Sequence, residues 1–163
     1  MTAQPIHEPH VTTASIDLLS NAVRSLDSAI TAQRAGERYV AAHLAALRAA
    51  AALLAAHARP NTRKPTSAWV LISKVDPDLS EWAAYFASCA GKRSAAEAGL
   101  GGAVTPREAD DMVRDAHEFI MVIADRLGVS RQLVFPNVGQ DAHSENQHEQ
   151  TNNVIPLRRI NRH

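Results

Sequence analysis

Apolar residues return along this chain at alternating spacings of three and four, the pattern of one face of an α-helix. The first stripe consists of Ile16, Leu19, Val23, Leu26 and Ile30. Three further stripes run through residues 40–54, 79–96 and 109–127. Because no segment alternates in the manner of strands, the pattern predicts an all-α fold: an antiparallel up-and-down helical bundle of four main helices plus a short one.

The second predicted helix, over about residues 37–58, is nearly half alanine and carries two apolar stripes. One consists of Val40, Leu44, Leu47, Ala51 and Leu54, and its neighbour of Tyr39, Ala42, Ala46, Ala49 and Leu53. A helix that is apolar on more than one side is typically buried. We therefore expect this helix to be central and the most buried element.

Local signals set several helix ends. Thr105 as N-cap, Pro106 at the first helical position and Glu108 three residues after the cap form a capping box. The first helix is expected to begin with Thr13 or Ser15 as its cap. Residues 129–136 have room for one more turn.

The chain divides into three regions by composition. Residues 1–14 are expected to be a disordered leader, residues 15–136 the bundle, and residues 137–163 a disordered polar tail. The tail closes with Val154-Ile155-Pro156-Leu157 followed by three arginines, an apolar and basic motif. This motif suits docking on a protein partner, with an unused end as the alternative interpretation.

Charge and cysteine content exclude several classes of protein. The 17 basic and 17 acidic residues balance, so no overall field favours nucleic acid or an anionic membrane. Cys89 is the only cysteine, which excludes an internal disulfide and a thiolate zinc cluster. Arg48, His43 and His57 interrupt the most apolar segment, so we expect no membrane span and a cytoplasmic location.

The sequence offers no metal or cofactor site. His117-Glu118 begins like a zincin helix, but Met121 stands where the second histidine is needed. The glycine-rich turn at 99–102 lacks the lysine and the strand-loop-helix setting of a phosphate-binding loop. We therefore expect neither a metal nor a cofactor.

Two polar residues interrupt apolar surfaces and are the candidates for chemistry. His43 lies among Tyr39, Leu44 and Leu47, where a catalytic histidine and a hydrogen-bonded core histidine are both open. Arg93 continues the third apolar stripe, where a functional role competes with pairing to a carboxylate such as Asp110 or Asp111.

The segments that carry these residues resemble a known superfamily. Glu37-Arg38-Tyr39-Val40-Ala41-Ala42-His43, together with residues 81–86, 92–99 and 105–111, is similar to HEPN domains, especially an alanine-rich actinobacterial branch. The similarity covers roughly residues 15–128. It implies a helical bundle that usually dimerises, and in many members a metal-independent endoribonuclease with an arginine, four to six residues, and then a histidine.

Arg38 and His43, with four residues between them, have that spacing. The resemblance implies that His43 would act as general acid or base on RNA and Arg38 would stabilise phosphoryl charge. On a regular helix the two side chains point about 140° apart, so gripping one phosphate would require a distortion or a second subunit. Arg48 and Arg93 are the further candidates for contacting nucleic acid.

The alternative function is a non-catalytic helical module that dimerises or binds a protein. The expected partners are thus a second copy, RNA under the nuclease hypothesis, and a protein held by the tail. The sequence leaves both functions open.

Overall fold

The computed structural model describes residues 10–57 and 66–135. Its helices are α1 (Thr13–Thr31), α2 (Ala35–Ala56), α3 (Ala68–Val75), α4 (Ser80–Ser88), α5 (Ala90–Glu97), α6 (Pro106–Arg126) and α7 (Arg131–Val134), with a 3-10 turn at Pro77–Leu79. No β-strand occurs within the described ranges, and the all-α prediction is confirmed. The predicted tail and residues 1–9 of the leader lie outside the described residues, whereas Thr13 and Ala14 are helical.

The helices run up and down. Arg38, near the start of α2, bonds to the Ala32 carbonyl just after α1, while Arg48, further along α2, bonds to Ser25. Later residues of α2 therefore contact earlier residues of α1, so the two helices are antiparallel.

The same test relates α4 and α5 to α6. The Tyr85 hydroxyl donates to Asp115 over 2.5 Å, and Lys92, later in the chain, bonds to the earlier residue Glu108. These helices are thus antiparallel to α6, and the bundle arrangement predicted from the stripes is confirmed.

The core-facing side of α1 differs from the predicted stripe. Its buried residues are Ser15, Leu19, Ala22, Ser25, Leu26 and Ala29. Ile16 and Ile30, which the stripe placed inside, are 47% and 60% exposed, so that part of the prediction is wrong. The reason is that the helices packed against α1 decide which of its sides is covered, and that side is centred on Ala22, Leu26 and Ala29.

The two stripes of α2 have different surroundings. Tyr39, Ala42, Ala46, Ala49 and Leu53 are all buried and form what we call the inner face. Val40, Leu44, Leu47, Ala51 and Leu54, the outer stripe, are only half-buried and lie on the opposite side of the helix. The core of the molecule therefore lies against the alanines, and the larger aliphatic residues lie nearer the surface.

The third predicted helix, which followed one stripe over residues 79–96, is two helices. At Cys89 the backbone N–H bonds to the carbonyls of both Tyr85 and Phe86, at 3.3 and 3.2 Å. This tightens the turn and separates α4 from α5. The continuous helix was thus a wrong prediction.

Several helix ends are as predicted. The Thr105 hydroxyl accepts from the N–H of Glu108 over 3.2 Å, and the Glu108 carboxylate accepts from the N–H of Thr105 over 2.9 Å. The cap of α1 is Thr12, which makes a capping box with Ser15, so the expected caps Thr13 and Ser15 are corrected. The extra turn after residue 128 exists as α7.

Candidate functional site

His43 lies inside the bundle and is 1% exposed. Its Nε2 lies 2.9 Å from the Phe86 carbonyl oxygen of α4, to which a protonated Nε2 donates. The edge of the imidazole meets the rings of Trp69 and Phe86, with centroids 5.9 and 6.0 Å away. The residue thus has the surroundings of a hydrogen-bonded core histidine, the second of the two interpretations that the sequence left open.

The environment of His43 favours its neutral form. Burial lowers the pKa of the imidazole, and the positive charge of Arg93 lowers it further, while the bond to the Phe86 carbonyl acts in the opposite direction. The other ring nitrogen, Nδ1, is buried and has no hydrogen-bond partner within the described structure. The ring is buried and its Nε2 is bonded to a backbone carbonyl, so within this chain it is not exposed to a substrate as acid-base catalysis on RNA requires.

Arg38 joins three elements at the start of α2. Its guanidinium donates twice to the Ala32 carbonyl, over 3.3 Å from Nε and 3.1 Å from Nη2. The same group forms an ion pair with Asp110 of α6. The carbonyl belongs to the residue that ends α1, so Arg38 ties that helix end to α6 through α2.

The structure does not bring Arg38 and His43 together. Arg38 turns toward the end of α1 and toward α6, whereas His43 turns toward α3 and α4. This follows from the divergence of about 140° that a regular helix imposes on positions five apart. Within one chain the two side chains face different neighbours, and their catalytic roles stay a prediction.

The two further arginines also bond within the bundle. Arg48 is half-buried and donates to the Ser25 hydroxyl and, over 3.5 Å, to the Asn21 carbonyl of α1. Arg93 pairs with Glu97 one turn later, with nitrogen-to-oxygen distances of 2.9 Å. The carboxylate partners expected from the sequence, Asp110 and Asp111, are paired instead with Arg38 and Arg114.

Tyr39 and Cys89 form a contact that the sequence did not reveal. The Tyr39 side chain is buried, and burial raises the pKa of its hydroxyl, with a smaller contribution in the same direction from the half-buried Cys89. The spacing of Tyr39 in an apolar stripe gave no sign of this polar contact. Within the described part of the chain, no group of three His, Cys, Asp or Glu side chains is placed to hold a metal ion.

The outer stripe of α2 is an extended apolar surface that contains none of the candidate catalytic or binding residues. α2 is long and apolar enough, by length and composition, to cross a membrane, although 56% of its most apolar window is buried in the bundle. A core helix of a soluble protein meets the same criterion. What distinguishes α2 is that the outer stripe, which lies on its remaining surface beside the half-buried Arg48, is also apolar.

These features define the class of protein: a small helical bundle built around an alanine-rich central helix. A model of the SAV_6107-like HEPN family matches residues 29–124, more than half of the chain. The chain belongs to this family, as the sequence resemblance indicated. Neither the curated proteins nor the solved structures contain a match. The narrower assignment to an actinobacterial branch stays a prediction.

Proposed function

We propose that this chain is a non-catalytic HEPN module that acts by binding, and that its outer stripe on α2 pairs with a second copy of the chain. The observation that carries the proposal is the half-buried state of Val40, Leu44, Leu47, Ala51 and Leu54. A helix at the surface of a bundle normally turns polar residues outward. Here five consecutive stripe positions are apolar and none is charged.

A second copy suits this surface better than lipid does. The inner face of α2 already packs in the core, so crossing a membrane would require the bundle to open and expose its buried alanines. A stable interface needs about 800 Å² per partner, more than one stripe supplies. Leu100, 62% exposed, borders the same depression as Val40 and extends the apolar surface.

Cleavage of RNA is the competing function, since family membership makes a ribonuclease or an RNA-binding protein a natural expectation. The burial of His43 and the internal bonds of Arg38, Arg48 and Arg93 count against it. His43, Arg38 and Arg48 each bond to another helix or helix end. Arg93 pairs with Glu97 in its own helix. The proposal therefore treats all four side chains as structural groups.

Incubation with RNA tests the non-catalytic half of this proposal. The purified chain is expected to leave single-stranded and structured RNA intact, with and without EDTA. Cleavage that persists in EDTA and disappears in both His43→Ala and Arg38→Ala, with each variant still folded, would establish the nuclease instead. The binding half is tested by the mass of a Leu44→Asp variant.

A further inference from the structure

An apolar groove lies between α1 and the segment that follows α6. Its volume is about 680 Å³. The apolar residues of one wall come from α1 and those of the other follow α6: Ile16, Leu19 and Val23 on the first side, Val129, Leu133 and Val134 on the second, with Ser20, Gly128 and Ser130 between them. We call this the docking groove.

The docking groove exposes large aliphatic side chains that the fold does not use. Val134 of α7 is buried, and the ring of Phe135, the next residue, meets the ring of His117 at a tilt with centroids 4.8 Å apart, so these two residues fix the segment. Leu133 is 79% exposed, and Ile16, on the other wall of the groove, is 47% exposed. Isolated exposed leucines are ordinary, but apolar residues grouped around a concave site indicate a binding surface.

The chain itself supplies a segment of matching chemistry. The described part ends at Phe135, next to Val134 on the wall of the groove. Between 136 and 163 the large apolar residues are Val138, Val154, Ile155, Leu157 and Ile160, four of them within seven positions. The 18 residues from 136 to 153 could extend over about 60 Å, while the groove wall from Ile16 to Val23 is only about 10 Å long.

The charged residues indicate which way the C-terminal segment runs along the docking groove. Asp27 lies one turn beyond Val23 on the same side of α1, and its carboxylate is exposed. In the described ranges Asp27 takes part in no ion pair. Arg158 and Arg159 follow Val154, Ile155 and Leu157 in the segment, as Asp27 follows the apolar wall, and Arg162 follows Ile160.

We propose that residues 154–160 dock in the groove of their own chain, with the apolar side chains against Ile16, Val23 and Leu133 and the arginines toward Asp27. Pro156 biases Ile155 toward an extended backbone. In an extended segment, alternate side chains point to the same side, so Ile155 and Leu157 enter the groove together. This surface is separate from the outer stripe, and either proposal can fail without the other.

Paramagnetic broadening in the full chain tests the docking. A spin label at Asn161→Cys, in a Cys89→Ser background, is expected to remove most of the amide signal intensity of residues 16–23 and 128–134. Ile155→Ser with Leu157→Ser should restore those signals. Val138→Ser, the matched loss of an apolar residue outside the segment, should leave the broadening unchanged. Broadening that is absent, spread evenly or centred on the outer stripe overturns the proposal.

A mixture separates docking within one chain from docking between chains. Spin-labelled protein without isotope is combined with isotope-labelled protein without spin label. Unchanged groove signals support docking in the same chain, whereas broadening there assigns the segment to the groove of a second copy and overturns the proposal as stated.

A photo-cross-linking arm does not depend on the Cys89 substitution. A benzophenone amino acid replaces Leu157 in the otherwise unaltered chain. Cross-links within one chain to residues 16–23 or 128–134 are expected. Their absence while cross-links form elsewhere contradicts the docking.

Discussion

The two sides of α2 differ in a way that the sizes of their residues do not predict. The inner face, with three alanines between Tyr39 and Leu53, is fully packed against the other helices, whereas the outer stripe, with Val40 and three leucines, is half-buried. Small residues allow helix axes to come close, and close axes exclude water. The small residues of α2 therefore lie on the side that packs in the core together with Tyr39 and Leu53, while its outer stripe of larger aliphatic residues is only half-buried.

The difference in packing between the two sides of α2 is tested most directly by the same enlargement of one alanine on each side. Ala46→Leu adds three carbon atoms to a site that is fully buried between helices, and overpacking of this kind costs roughly 1–3 kcal/mol of unfolding free energy, sometimes more. Ala51→Leu makes the same change on the outer stripe and should stay within about 0.5 kcal/mol. Urea denaturation measures both. Equal losses would mean that the two sides do not differ in packing.

His43 sharpens the account of the inner side. His43→Ala removes a buried ring and its bond to the Phe86 carbonyl, and we expect a loss of about 2 kcal/mol. Arg38→Ala removes an ion pair with an exposed carboxylate and bonds to one carbonyl, and should cost about 1 kcal/mol or less. Thermal or urea unfolding compares the two. An unchanged midpoint for His43→Ala would contradict its structural role.

The depressed pKa of His43 gives a pH dependence of definite sign. In the unfolded chain the ring takes up a proton below about pH 6.5, while in the folded chain burial keeps it neutral to lower pH. The unfolded state then binds more protons, so the unfolding free energy falls as pH decreases from about 6.5, by at most about 1.4 kcal/mol per pH unit for one proton.

A His43→Leu variant provides the control for that slope. It lacks the titrating group, so its unfolding free energy should vary less between pH 7 and pH 5 than that of the parent. Identical slopes in the parent and in His43→Leu would show that the ring is not held neutral by the fold.

The smallest effects are expected at the two arginines first considered for nucleic-acid contacts. Arg48→Ala and Arg93→Ala each remove a partly exposed internal bond and should cost about 1 kcal/mol or less. Neither should change the salt dependence of any RNA binding, because a phosphate contact would contribute about one unit to the slope of log K against log salt. Measuring RNA binding of the parent and the two variants at several salt concentrations tests this expectation. A reduced slope would place these arginines on phosphates.

Local sequence signals predicted those parts of the fold that depend on neighbouring residues. The start of α6 is an example, since Thr105, Pro106 and Glu108 fix it within one turn. Hydrogen bonds from Lys92 and Thr105 also lower the pKa of Glu108 to about 2. The buried side of α1 was mispredicted because the helices that pack against it decide whether Ser15 or Ile16 is covered. Their placement cannot be read from the sequence of α1.

The same division applies to the candidate site. The helical repeat alone predicts that Arg38 and His43 diverge. Their partners, Asp110 and the Phe86 carbonyl, lie 72 and 43 positions away in the chain and come from the packing of whole helices. The outer stripe was visible as a pattern, but only the structure shows which of the two α2 stripes is buried and which is half-buried.

Sedimentation equilibrium of the full chain tests the central claim, that the outer stripe of α2 binds a second copy. We expect the parent to reach twice the chain mass of 17.6 kDa as concentration rises. Leu44→Asp should remain a folded monomer, and Leu133→Asp, the same change in the docking groove, should dimerise like the parent. A parent that stays monomeric at all concentrations, or a Leu44→Asp variant that dimerises as well as the parent, would contradict the claim.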